Sequence, residues 1–106
     1  MASLLKLKQE FLEYIEIEKG RAVKTVENYD HYLSRFLSFV KTDNPKDLND
    51  VLMREYRMWL NRQTTYNTRQ TTKETLKKKT QNYYLIALRA FLKYLRKRNI
   101  DTIQPE

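Results

Sequence analysis

Leu4, Leu7, Phe11 and Ile15 recur at steps of three and four residues, with Lys6, Glu10, Glu13 and Glu16 between them. This spacing gathers the apolar side chains into one stripe and predicts an amphipathic helix over about 3–19. Ser3 is placed to cap its first turn, and Gly20 supplies the left-handed residue that ends it. A second run, Val26, Tyr29, Leu33, Phe36, Leu37 and Val40, predicts a helix over about 24–41 that stops at the polar turn Thr42-Asp43-Asn44-Pro45. After Asp47 to Asp50, Val51, Tyr56, Trp59 and Leu60 mark the apolar face of a shorter third helix, about 52–62, with Trp59 as its largest core anchor. The last pattern is the clearest: Tyr84, Leu85, Leu88, Phe91, Leu92 and Leu95 share one side of a helix over about 77–98.

Between the third and fourth helices, Arg62 to Thr75 holds six threonines, several amide and charged residues and one aromatic, Tyr66. No apolar period runs through it, so residues 63–75 are expected to be a mobile loop, which at this length is functional or disordered more often than merely connecting. A chain of 106 residues with one glycine and two prolines has room for one core and few places to break a helix. The expected fold is therefore all-α, a compact four-helix bundle with Phe11, Tyr29, Leu33, Phe36, Trp59, Leu88, Phe91 and Leu95 buried together.

Charge changes this picture from a fold to a surface. The chain carries 21 Lys and Arg against 13 Asp and Glu, a net +8, and an excess of that size attracts polyanions through a salt-screened field. Nine of the basic residues and one acid, Glu74, lie between Lys73 and Arg98, so the whole excess falls in the last third. Nucleic acid is the first partner this implies. The absence of cysteine fits a reducing interior, and no apolar run approaches a signal segment or a membrane span, so a cytoplasmic, membrane-free chain is expected.

Two strings echo each other at helix starts: Lys24-Thr25-Val26-Glu27-Asn28-Tyr29, and Lys79-Thr80-Gln81-Asn82-Tyr83-Tyr84. A helix N-terminus presents unsatisfied N–H groups and the positive end of its dipole; Lys adds charge and Thr a hydroxyl, so a phosphate can dock there. An Asn one turn further in can reach a base edge, typically adenine, if the helix enters the major groove. The plainer reading makes Thr25 a cap, Tyr29 and Tyr84 core residues, and the lysines solvated. Lys77-Lys78-Lys79 argues more strongly for an anionic partner, since adjacent like charges repel in the free protein. Asn82, Arg89, Lys93 and Arg96 then form a polar, mostly cationic face along the fourth helix that can follow a phosphate backbone.

The order Phe11-Leu12-Glu13-Tyr14-Ile15, Thr25-Val26, Asn28-Tyr29, Leu33 and Phe36-Leu37 resembles the opening of the core-binding domain of tyrosine recombinases, the phage-integrase and Xer-like family. Val51 to Leu60 looks like that family's short third helix. Thr80-Gln81-Asn82 followed by Leu85 to Leu95 looks like its fourth, and Ile100, Ile103 and Pro105 resemble the segment leading to the catalytic domain. The likeness runs from about Leu4 to Pro105; each motif is weak alone, and their order and spacing carry it. It implies a SAM-like orthogonal four-helix bundle, one half of a C-shaped clamp whose second and fourth helices cross the major groove of double-stranded DNA. Other recombinase protomers would join it in the full-length synaptic complex, while the isolated domain is expected to be a monomer. Lys24, Thr25 and Asn28 would then contact DNA from the second helix, and Lys79, Thr80, Asn82 and Tyr83 from the fourth, with Lys77, Lys78, Arg89 and Lys93 adding charge. Some positions depart from the pattern. Arg21 and Ala22 stand where the family has an apolar residue and a serine cap, which predicts a later start for helix two, at Thr25. The 62–75 loop looks longer than usual, and Gln104 replaces a preferred Asn.

No catalytic centre is expected in this chain. The family's arginine-lysine-histidine-arginine constellation and tyrosine nucleophile belong to a later domain, and the eight tyrosines here mostly sit at helical spacing among apolar neighbours. His31 is the sole histidine, without a second ligand or carboxylate cluster at metal-binding spacing, and one glycine excludes a phosphate loop, so neither metal nor cofactor is expected. The competing reading is a helical protein-interaction domain whose basic face binds an acidic partner. A helix-turn-helix regulator lacks its tandem signature here, and the exposed aromatic platform of a single-strand RNA reader is not evident.

Overall fold

The computed structural model describes residues 3–67, 72–75, 77–100 and 102. Four helices carry the fold: α1 (Leu4–Ile17), α2 (Val23–Val40), α3 (Asp50–Asn61) and α4 (Lys78–Lys97). A single 3-10 turn, Pro45–Asp47, links α2 to α3. Between α3 and α4 lies an antiparallel hairpin, β1 (Thr64–Asn67) and β2 (Thr72–Thr75), in the register Thr64↔Thr75 to Asn67↔Thr72. The domain is all-α in class, with the hairpin as an appendage to its four-helix core.

The helix ends follow from local chemistry. Ser3 Oγ accepts from the Lys6 N–H at 3.1 Å, and Asn49 Oδ1 accepts from the Leu52 N–H at 2.8 Å, so α1 and α3 are capped by side chains. Gly20 takes φ +64°, and just beyond it the Arg21 N–H turns back to the Ile15 carbonyl at 3.0 Å, closing α1 as expected. The start of α1 is also tied to the α2–α3 connection, through Leu4 N–H to the Asp43 carbonyl at 2.8 Å.

Leu4, Leu7, Phe11 and Ile15 of α1, Leu33 and Phe36 of α2, and Leu88, Phe91 and Leu95 of α4 form one buried cluster. Phe11 sits at its centre, edge-on to Phe91 (5.6 Å between centroids) and stacked on Tyr29 (6.3 Å). Lys8 is buried beside it: its stem lines the α1–α2 contact while Nζ donates to Asp30 at 2.7 Å and to Ser34 Oγ at 3.0 Å. The Lys8 hydrogen bond holds the Asp30 carboxyl below the ordinary carboxylate range, against a smaller opposing effect of burial.

Several expectations are corrected. Tyr29 is only half-buried, and Trp59 lies on the flank of the core, while Tyr56 is the ring fully buried at the α2–α3 contact. At ~100° per residue, Leu52, Tyr56 and Leu60 define the inward line of α3; Trp59 stands roughly 60° off its centre and Val51, which is exposed, roughly 140° off. Helix α2 begins at Val23 with Ala22 as an N-cap lacking a side-chain bond, so Thr25 lies inside the first turn rather than starting the helix. The stretch expected to be an irregular loop holds the hairpin instead. Four of its six threonines fall in β1 and β2, and β-branched residues suit a pleated strand even where no apolar period announces one.

Candidate nucleic-acid interface

Helices α2 and α4 are joined by aromatic contacts. Tyr29, in the first half of α2, meets Phe91, in the second half of α4, through the shared ring of Phe11. Tyr84, near the start of α4, packs on Tyr32 (4.6 Å) in the middle of α2. The Tyr84 hydroxyl accepts from Arg35 Nη1 at 3.0 Å and lies 3.1 Å from His31 Nε2. The start of α4 is thus packed on the middle of α2, at His31, Tyr32 and Arg35.

The sequence-derived residues divide between the two helices. Lys24 is exposed and Thr25 and Asn28 half-exposed on the first turns of α2, and Arg89 and Lys93 are exposed on the second half of α4. Lys77, Lys78 and Lys79 are exposed at the other end, with Thr80 half-exposed and Asn82 and Tyr83 exposed just beyond. On α4, Lys79, Asn82, Ile86, Arg89 and Lys93 stand on one outward line about 21 Å long, from the ~1.5 Å rise per residue. That helix contains no acidic residue.

Both helices begin without a side-chain cap or an acidic residue in the first turn, at Ala22 for α2 and Lys77 for α4. Their N–H groups and positive dipole ends are thus left to solvent or to an anion. Two of the basic residues at the other end of α4, Lys97 and Arg98, are held by partners within the protein. Arg98 pairs with Glu10 and donates to the Tyr94 hydroxyl at 3.1 Å, and Lys97 donates to the Tyr14 hydroxyl at 3.2 Å. The Lys97 bond lowers the Tyr14 pKa from its usual value. A count of charges along the chain could not separate these cations from the outward ones.

Two outward residues escaped the sequence reading. Ile86 is 48% exposed within the cationic line of α4, where an apolar side chain can meet a sugar or a thymine methyl. Arg35 is held by Tyr84 and Trp59, its carbon 5.6 Å and 5.5 Å from the two ring centroids. The signal for Arg35 was present as the 4-3-4 continuation of Lys24, Asn28 and His31 along α2. Among the described residues there is no cluster of three or more metal-ligating side chains, and no helix is long and apolar enough to cross a membrane. Ile103, Gln104 and Pro105 lie outside the described residues.

These features define a basic, all-helical domain with polar, cationic faces on two helices that pack together. Residues 9–99 match the family described as phage integrase, N-terminal SAM-like domain, and the chain belongs to that family. It is 27% identical over 95 residues to a protein named tyrosine recombinase XerC from Anoxybacillus flavithermus (strain DSM 21510 / WK1). That alignment covers 90% of this chain and 29% of the relative, so the chain spans less than a third of the relative's length. No solved structure matches it.

Proposed function

We propose that this domain binds double-stranded DNA in a sequence-directed way, as the N-terminal clamp half of a site-specific tyrosine recombinase acting in the cytoplasm. The observation that carries the reading is the outward line of α4, where Lys79, Arg89 and Lys93 are exposed and, among the described residues, paired with no carboxylate. Such a line follows a phosphate backbone, and membership in the integrase family supports DNA as the polyanion. Lys24, Lys77, Lys78, Lys79, Arg89 and Lys93 meet phosphates, with Thr25 and Thr80 as hydroxyl donors and Tyr83 against the backbone. Asn28 and Asn82 approach base edges. Strand cleavage and exchange, and the joining of protomers on a recombination site, belong to the whole recombinase.

Charge and readout separate by mutation. Lys79→Gln should weaken binding to every duplex and reduce the slope of log affinity against log salt by about one, because one fewer counterion is released. Asn28→Ala or Asn82→Ala should cost about 1–3 kcal/mol on the preferred site and much less on random DNA. Chemical-shift changes on adding duplex should cluster around residues 22–29 and 77–93. Changes confined to residues 4–16 would refute the face, and no binding even at low salt would favour an acidic protein partner instead.

A further inference from the structure

Lys24, Asn28, His31, Arg35 and Ser38 follow one another at steps of four and three, a single line along the outward side of α2. The line ends in an open cleft of about 510 Å³ lined by Arg35, Ser38, Phe39, Lys41 and Trp59. Arg35 is half-buried there with its guanidinium against two rings and one N–H given to the Tyr84 hydroxyl. Among the described residues it has no carboxylate partner.

A guanidinium is always charged and presents five donors in a rigid plane. Contact with Trp59 and Tyr84 removes part of its hydration and fixes that plane, so the cation is oriented in advance for an acceptor that the protein does not supply. Ser38 and Lys41 add a hydroxyl and a second cation at the same cleft. The carbonyl end of α2 opposes an anion there, but its partial charge of roughly half an elementary charge is smaller than the two full charges facing it. Tyr84, which holds Arg35, lies about two turns along α4 from the Lys77 to Lys79 cluster.

We propose that Arg35, with Ser38 and Lys41, forms a seat for a backbone phosphate of duplex DNA, and that Trp59 and Tyr84 are the residues that position it. The donor-rich lining suits phosphate oxygens better than a base edge, which would need matched acceptors as well. The inference rests on the reading of the domain as a DNA binder and extends its footprint along α2 by about 15 Å beyond Lys24 and Asn28, judged from the helical rise.

The test uses the whole chain, a duplex DNA and a salt titration, with Trp59, the single tryptophan, as an internal probe. Duplex should change Trp59 emission, and Arg35→Gln should weaken binding severalfold on any sequence while lowering the salt slope by about one. Arg35→Lys should restore the slope but only part of the affinity, because the charge returns without the stacked plane. Tyr84→Phe keeps every ring and loses the hydroxyl that orients Arg35, so it should weaken binding with the slope unchanged; it carries the test alone if Arg35→Gln proves unfolded by circular dichroism. Duplex that binds without altering Trp59 emission, or an Arg35→Gln slope equal to that of the unaltered chain while Lys79→Gln lowers it, would overturn this seat and leave the wider DNA reading intact. Failure of the unaltered chain to bind any duplex at low salt would overturn both.

Discussion

Tyr56 is fully buried where α2 meets α3, against Phe36 at 4.9 Å and Phe39 at 5.4 Å, and its hydroxyl has no hydrogen-bond partner among the described residues. Burial pushes its pKa upward, the mark of a group that would be costly to ionise where it sits. The ring therefore stabilises the domain and the oxygen works against it. Tyr56→Ala should cost about 3–5 kcal/mol in denaturant unfolding, as large-to-small core changes do. Tyr56→Phe should be neutral or stabilising by about 1 kcal/mol, since an unsatisfied buried hydroxyl is removed with the packing kept. A loss above that size for Tyr56→Phe would show that the oxygen does have a partner. The sequence made an aromatic stripe on this helix legible, but choosing Tyr56 over Trp59 for its centre required the line through Leu52 and Leu60 and the position of Phe36, a neighbour from another helix. Lys8 was illegible for the same reason: its carboxylate, Asp30, lies 22 residues away, and nothing local distinguishes it from the solvated Lys6.

At the scale of elements, all four helices were legible, since a stripe at period 3.6 with Ser3 and Gly20 at its ends leaves little choice of structure. The hairpin was not. Its strands have only four residues each, alternate no apolar with polar positions, and declare themselves through threonine alone. A two-stranded ribbon is marginal without a hydrophobic face to pack. The amides of 64–67 and 72–75 should accordingly exchange with solvent through local opening, roughly 100-fold or more faster than those around Leu88 and Phe91, which open only with the core. Native-state hydrogen exchange measures this directly. Equal protection in hairpin and core would mean that the ribbon is folded as part of the main cooperative unit. The contact between α2 and α4 was hidden as well, because Tyr84 packs on His31 and Arg35, residues 53 and 49 positions away in the chain.

Taken as a whole, the molecule concentrates its charge where it is least favourable for the free protein. Lys77, Lys78 and Lys79 crowd the first turn of α4, at the positive end of a 20-residue helix that has neither a capping side chain nor an acidic residue there. Each cation at that end costs about 0.3–1 kcal/mol at low salt, and the three repel one another besides. The acidic residues that could relieve the turn are engaged or located elsewhere, as Asp30 is with Lys8 and Glu10 with Arg98. Such a conflict between local stability and the rest of the fold is expected at a functional surface, and an anionic partner would relieve it. Stability and DNA affinity should then move in opposite directions. Lys77→Asp supplies a capping carboxylate and removes a like charge, so it should raise the stability of the free domain by about 1 kcal/mol. The same change should weaken duplex binding on all sequences, because it removes one cation and adds one anion at the proposed phosphate-binding end of α4. Added salt should imitate the first effect in the unaltered chain, raising its melting temperature while lowering its affinity for DNA, as screening weakens repulsion within the domain and attraction to the duplex alike. Thermal melting and duplex titration of Lys77→Asp at two ionic strengths measure both quantities. A gain in stability with no loss of affinity would place the first turn of α4 outside the DNA interface, and no gain at low salt would show that the lysine cluster is already neutralised by some group of the protein itself.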